Sequence, residues 1–277
     1  MGVVNPIKYA LLFCVSLIPV FAQLAPFNDS GVTMGHMHLA VKDVDAQKQF
    51  WVSMMGGTLV KSGPLELIQF PGIYIMLRKA EPTGPPEGTT VNHFGFVVKD
   101  LAAYKSKWAA AGVGFKPNEN PNAGYVSAPD GIRIEIFGDP NLPVPIQMDH
   151  VHFFLADFAD MKAWYVKTFG AAPSERKSVS SVKVLRMIET GNFPGKINFS
   201  FAPAAGGASV VGTKGRSIDH IGFEVKDLDA FAKKAEAQGI KFDVAPRGIP
   251  NAKTRIAFLT DPWGTYIEVT EALAPAN

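Results

Sequence analysis

The stretch VNHFGFVVKDL, Val91–Leu101, returns at Ile218–Leu228 as IDHIGFEVKDL, with seven of its eleven letters unchanged. Two looser copies, MGHMHLAVKDV from Met34 and MDHVHFFLADF from Met148, complete a set whose starts are spaced by 57, 57 and 70 residues. Self-similarity at such intervals marks a repeated supersecondary unit. The chain therefore reads as four copies of one unit, each opening on a strand with a histidine near its start. Residues i and i+2 of a strand share a face. In the first and third copies the residue two beyond that histidine is a second histidine, His38 or His152. In the second and fourth it is Gly95 or Gly222, which leaves space on that face.

Each opening strand runs into a helical segment. Asp43, Asp100 and Asp227 stand at N-cap positions, and Gly56, Gly112, Gly170 and Gly239 end the helices, where glycine takes the left-handed conformation at little cost. Phe50, Trp51, Trp164, Tyr165 and Phe231 within these helices read as core. Short strands follow, such as IRIEIF (132–137) and TYIEVT (265–270), each preceded by a turn, PDG or DPWG. The unit is βαβββ. GDPNLPVPIQ, at 138–147, has three prolines and no periodicity, and reads as a linker between two pairs of units.

The 277 residues allow two domains or one large one. Hydrophobic residues at 47% against 19% charged place the chain among globular proteins. A net charge of +2 without a basic run offers no electrostatic footprint for nucleic acid, which is set aside as a partner. Lys8 precedes the apolar run YALLFCVSLIPVFA (9–22), which is shorter than a membrane span. With small Val20 and Ala22 at the −3 and −1 positions it reads as a signal peptide, residues 1–22. The other reading of that run is an uncleaved anchor. A cleaved signal implies a periplasmic or secreted protein with no membrane contact after processing. Cys14, the only cysteine, lies inside the signal, so the mature chain has neither a disulfide nor a thiol nucleophile.

The phrases NHFGFVVKDL and DHIGFEVKDL, with the closing phrases PDGIRIE and DPWGTYIE, resemble the vicinal oxygen chelate superfamily. That superfamily contains glyoxalase I, bleomycin-resistance proteins, fosfomycin-resistance thiol transferases and extradiol dioxygenases. The resemblance spans Met34 to Thr270. It implies an α+β fold in which βαβββ modules pair into cupped mixed sheets, each holding a divalent metal. Consecutive modules are expected to pair, giving domains at 32–139 and 148–272 with 140–147 as the link. The family's ligand positions carry over onto His36, His93 and Glu135 in the first domain, and His150, His220 and Glu268 in the second. Two imidazoles and a carboxylate leave coordination sites open and suit Fe2+, Zn2+ or Mn2+. The same resemblance brings in Tyr125 as the tyrosine that extradiol enzymes place ahead of the closing glutamate. Strand parity sets Arg133 beside Glu135, Tyr266 beside Glu268, and His38 and His152 beside the ligands, where a near-neutral imidazole suits proton transfer. These five are the catalytic candidates.

Two departures bear on the reaction. Glyoxalase I carries a fourth, acidic or amide, ligand in the last strand of its first module; Met76 and Asn198 are the matching residues here. Extradiol enzymes add a histidine before the tyrosine; KPNENPNAG contains none, and Phe258 takes the tyrosine's place in the second half, with Asn251 and Lys253 where the histidine would stand. The expectation is a secreted metalloenzyme, glyoxalase-like or dioxygenase-like, that chelates a small oxygenated substrate through vicinal oxygens and works as a monomer or homodimer. Its alternative is a sequestering protein of the bleomycin-resistance type without catalysis. N-terminal sequencing of exported protein is expected to begin at Gln23; an intact Met1 would overturn the signal-peptide reading.

Overall fold

The computed structural model describes residues 24–156, 158–174, 189–193 and 197–274; the expected signal segment, with Cys14, lies outside them. Four βαβββ modules follow one another along the chain. The first comprises β1 (Val32–Val41), α1 (Val44–Lys48), β2 (Thr58–Ser62), β3 (Leu65–Phe70) and β4 (Ile73–Lys79). The second comprises β5 (Val91–Val98), α2 (Leu101–Ala110), β6 (Phe115–Pro117), β7 (Ala123–Ser127) and β8 (Arg133–Gly138). The third runs through β9 (Ile146–Leu155), α3 (Ala159–Phe169), β10 (Ala172–Ser174), β11 (Glu189–Phe193) and β12 (Ile197–Pro203). The fourth runs through β13 (Ile218–Val225), α4 (Leu228–Ala237), β14 (Phe242–Gly248), β15 (Arg255–Thr260) and β16 (Tyr266–Glu271).

Local chemistry sets these elements as the sequence leads one to expect. Asp43, Asp100 and Asp227 accept hydrogen bonds from first-turn amides, satisfying donors that a helix start otherwise leaves open. The four terminal glycines all have positive φ, between 72° and 86°. One helix departs from expectation. Beyond Lys48 it continues over Gln49–Met54 as a π-helix, with the Met55 amide reaching back to the Phe50 carbonyl at 3.0 Å. The wider winding leaves adjacent Phe50 and Trp51 both in the core, at 4% and 0% exposure.

The strands form two mixed eight-stranded sheets, β14-β15-β16-β13-β1-β4-β3-β2 and β10-β11-β12-β9-β5-β8-β7-β6. Here the sequence reading is corrected. Module one shares its sheet with module four, and module two with module three; consecutive modules one and two, or three and four, do not. His36 and His93 accordingly lie in different sheets. The proline-rich link also has another role. Residues 139–145 take the chain from β8 past β5 to β9 within one sheet, held by Asp139 N–H to Val98 O and Lys99 N–H to Pro145 O, both 2.9 Å, and Ile146 and Gln147 already belong to β9. The crossings between sheets are made instead by residues 80–90 and 204–217. These two connectors satisfy each other's backbones: Thr83 donates to Gly215 O at 2.8 Å, Ser217 to Gly84 O, Thr90 to Val211 O and Val211 to Gly88 O, each at 3.0 Å. Pairing the connectors gives their peptide groups partners outside the two sheets.

Modules that are consecutive in sequence still touch, through aromatic side chains of their helices and strands. Trp51 stacks on Phe94 at 5.8 Å and Phe70 packs on Phe96 at 5.0 Å. In the other half, Phe169 stacks on Phe223 at 3.9 Å. Each helix is also tied by a polar bond to the last turn of the following module: Gln47 Nε2 to Pro129 O at 2.8 Å, and Tyr165 Oη to Asp261 Oδ2 at 2.9 Å. Truncating an aromatic such as Trp51 to alanine in this setting costs about 3–5 kcal/mol. Among the described residues no helix is long and apolar enough to cross a membrane.

This topology has a direct consequence for the isolated halves. A fragment of residues 24–140 exposes the edges of β1 and β5 that pair with β13 and β9 in the whole chain, and free edges seek partners. The fragment is expected to associate or aggregate. A well-folded monomer by sedimentation would contradict the shared-sheet arrangement.

Candidate functional site

The centre of each sheet is an antiparallel pair of opening strands, β1 with β13 and β9 with β5. In register, His36 faces Gly222 and His38 faces His220; His150 faces Gly95 and His152 faces His93. The glycines accommodate the partner imidazoles. A Cβ on Gly222 would lie 2.1 Å from His36 Cε1, and one on Gly95 would lie 2.3 Å from His150 Cε1. The space expected above a metal is thus filled by a histidine ring from the other module. Glu268 and Glu135 come from the neighbouring parallel strands, with Glu268 opposite Gly222 and Glu135 opposite Gly95.

Two clusters result, each with four ligand-capable atoms within 4.8 Å of one another: His36, His38, His220 and Glu268 in the first centre, and His93, Glu135, His150 and His152 in the second. All six expected ligands enter a cluster, but in exchanged company. His36 joins Glu268 rather than His93 and Glu135, and His150 joins Glu135 rather than His220 and Glu268, because the sheets are shared between modules one and four and between two and three. His38 and His152 stand within the clusters, so each centre offers three imidazoles and one carboxylate. In the first, His36 Nε2 and His220 Nε2 each lie 2.9 Å from Glu268 Oε2, and His38 Nδ1 lies 4.0 Å from it. In the second, His93 Nε2 and His150 Nε2 lie 3.2 and 3.3 Å from Glu135 Oε2, and His152 Nδ1 is 3.3 Å from His93 Nε2.

The residue before three of the clustered histidines bonds the imidazole, a contact absent from the sequence reading. Asp219 Oδ1 bonds His220 Nδ1 at 2.6 Å, Asp149 Oδ2 bonds His150 Nδ1 at 2.8 Å, and Asn92 Oδ1 bonds His93 Nδ1 at 2.9 Å. The signal was the letter preceding the histidine, N or D in three copies and G in the first. Asp219 is itself braced by Arg78 at 3.2 Å and by the Gly215 amide at 2.8 Å. Asn118 Nδ2 donates to Glu135 Oε1 at 3.0 Å, a contact with no counterpart in the motif.

Arg133 can only donate; its Nη2 donates to Asn92 Oδ1 and lies 3.2 Å from His93 Nδ1, while His93 Nε2 lies 3.2 Å from Glu135 Oε2. Burial lowers His93 and His38 to about 4, and it lowers His36 and His152 as well. Burial also opposes charge on His150, but its hydrogen bonds to Asp149 and Glu135 prevail and raise it to about 9; His220 is raised in the same way by Asp219 and Glu268. Burial would raise Glu135 and Glu268, yet hydrogen bonds from the histidines hold both well below the usual carboxylate range. The donor set, three imidazole nitrogens and one ionised oxygen, fits a divalent transition metal.

The surroundings of the two centres differ. Tyr125 pairs with Glu135 across β7 and β8, and its ring lies 5.6 Å from His93. Arg133 lies over the Tyr125 ring at 4.7 Å. Burial and the nearby Glu135 push Tyr125 up to about 12. In the first centre Phe258 takes the place opposite Glu268 and stacks on Tyr266 at 5.1 Å; burial pushes Tyr266 up to about 12 as well. Met76 and Asn198, expected to match one another, do not. Met76 pairs with His38, whereas the residue paired with His152 is Ser200, and Asn198 pairs with His150 just as Tyr74 pairs with His36. None of these four is acidic.

Two outcomes are expected. D219N and D149N should each weaken metal binding about 10–100-fold at one centre only, as loss of an outer partner does; isothermal titration checks this. His150, at about 9, is protonated at pH 7 in metal-free protein, and a ligand must be deprotonated. Metal uptake at the second centre should therefore release a proton at pH 7 and progressively less above pH 9, measured by pH-stat.

The Glyoxalase/Bleomycin resistance protein/Dioxygenase superfamily model matches residues 33–136 and again 147–269. No curated protein matches the chain. Among solved structures, glyoxalase I from Zea mays superposes with a TM-score of 0.68 at 17% identity, covering 87% of this chain and 92% of that one. A putative dioxygenase from Bacillus subtilis subsp. subtilis str. 168 superposes with a TM-score of 0.64 at 13% identity, covering 92% and 87%. At such identities the likeness is one of fold. The family model covers most of the chain, in two tandem copies, and with the module order and paired His/Glu clusters it places the chain in the Glyoxalase/Bleomycin resistance protein/Dioxygenase superfamily.

Proposed function

We propose that this chain is a secreted, divalent-metal-dependent enzyme acting on a small substrate held through two adjacent oxygens, with the chemistry at the second centre. The carrying observation is the convergence of His93, His150, His152 and Glu135, whose ligand-capable atoms lie within 4.8 Å of one another. His93, His150 and Glu135 would hold Fe2+, Zn2+ or Mn2+, leaving His152 free of the metal. When bound, the metal supplies a Lewis acid that draws electron density from the substrate oxygens.

The chain's own residues do the rest. Tyr125, at about 12, keeps its proton near neutrality and so donates a hydrogen bond to a substrate oxygen. His152 is held neutral by burial and by its histidine neighbours. Its Nε2 is buried without a hydrogen-bond partner among the described residues, so this nitrogen receives the proton that a glyoxalase-like or dioxygenase-like reaction removes from the substrate. Asn118 keeps Glu135 turned toward the imidazoles. The first centre has the same kinds of donor, but Phe258 stands where Tyr125 does and Tyr266 where Arg133 does, and it is assigned a lesser part.

Metal analysis of protein purified from its native compartment is expected to find two divalent ions per chain. E135A and E268A should each keep one, and E135A should abolish turnover of α-oxo aldehyde or catechol probes while E268A retains it. Absence of metal at micromolar concentration, or turnover surviving E135A, would overturn the reading. Tight binding of a probe without any product would leave the sequestering alternative.

A further inference from the structure

Arg133 is a half-buried cation with no acidic partner among the described residues. Its Nη2 meets Asn92 Oδ1 and lies 3.2 Å from His93 Nδ1, its guanidinium lies 4.7 Å over the Tyr125 ring, and its Nε is buried without a hydrogen-bond partner. It sits one imidazole ring away from the nitrogen that faces Glu135. A guanidinium presents a planar fork that matches a carboxylate in two-point contact, and desolvating it beside neutral groups alone is costly. In the first centre the arginine that reaches the residue before the histidine, Arg78, is paired with the Asp219 carboxylate at 3.2 Å. Tyr266 occupies the corresponding strand position, two residues before the glutamate, and stacks on Phe258; the cation beside it, Lys214, is exposed.

Building on the metal-centre reading above, we propose that the second centre takes a substrate whose vicinal-oxygen head carries a carboxylate a few bonds away, and that Arg133 is the residue that selects it. The first centre, walled by Phe258 and Tyr266, makes no such selection. Tyr125 holds the guanidinium by its ring face, and Asn92 joins it to the His93 ring, so the anion's position is referred to the ligand set itself.

The test uses full-length E268A protein, so that metal resides at the second centre alone, and a matched pair of probes: 3,4-dihydroxyphenylacetate, with vicinal oxygens and a carboxylate, and 4-methylcatechol, without the carboxylate. Metal content is measured first. Protein without metal would overturn the metal-centre reading and this inference with it. With metal present, the carboxylate probe is expected to bind about tenfold more tightly, the scale of one charge-assisted contact. R133Q should erase that difference with metal content intact and 4-methylcatechol affinity kept, and R133K should restore part of it. Equal affinities in the parent protein would overturn Arg133 as the selector while leaving the metal centre standing. So would equal weakening of both probes by R133Q, or loss of metal in R133Q, which would make Arg133 a positioning group for His93.

Discussion

Everything in this molecule depends on a glycine meeting a histidine across an antiparallel strand pair. His36 fills the face above Gly222, and His150 fills the face above Gly95. Any side chain at either glycine would push an imidazole out of its place. Because the pair sits at the middle of each sheet, the same contact sets the register of β1 on β13 and of β9 on β5. That register brings His38 level with His220 and His152 level with His93. The parallel strands β16 and β8 then deliver Glu268 and Glu135 beside the glycines. One steric complementarity thus fixes four donors at a time.

Around this frame, electrostatics decides what the donors can do. Three of the four clustered histidines that open the repeats carry an oxygen acceptor on the preceding residue, within hydrogen-bond distance of Nδ1, and turn Nε2 toward the glutamate. The carboxylates beside them raise His150 and His220, whereas burial lowers His93 and His36. The second centre is also the more polar of the two, with Tyr125, Arg133 and Asn118 around Glu135, whereas Phe258 and Tyr266 wall the first.

Departures from the sequence reading have separate physical origins. The π-helix over Gln49–Met54 arises where two adjacent aromatics both need the core, which regular α-helical winding would not provide. Asp149 and Asp219 were passed over because an acidic residue beside a histidine looks, on a strand, like the solvent face; both are in fact buried, at 8% and 5% exposure. Met76 and Asn198 were matched by counting along apolar strands, and parallel pairing shows them offset by two residues.

The sequence by itself determined the module, its four copies, the helix caps, and the six His and Glu residues that cluster with His38 and His152. All of these follow from short-range chemistry: strand parity, glycine conformations, and side chains fixed a few residues from a turn. It did not determine partnership. An H-x-H strand needs an H-x-G strand opposite, and that rule is met equally by pairing module one with two and three with four, or one with four and two with three. Only the tertiary structure decided, through its connections. Residues 139–145 are held across the end of β5 by backbone bonds at both ends and keep modules two and three in one sheet, while the connectors at 80–90 and 204–217 satisfy each other's peptide groups as they cross between sheets. The connector contacts join residues more than a hundred positions apart, and no local pattern in the chain encodes them.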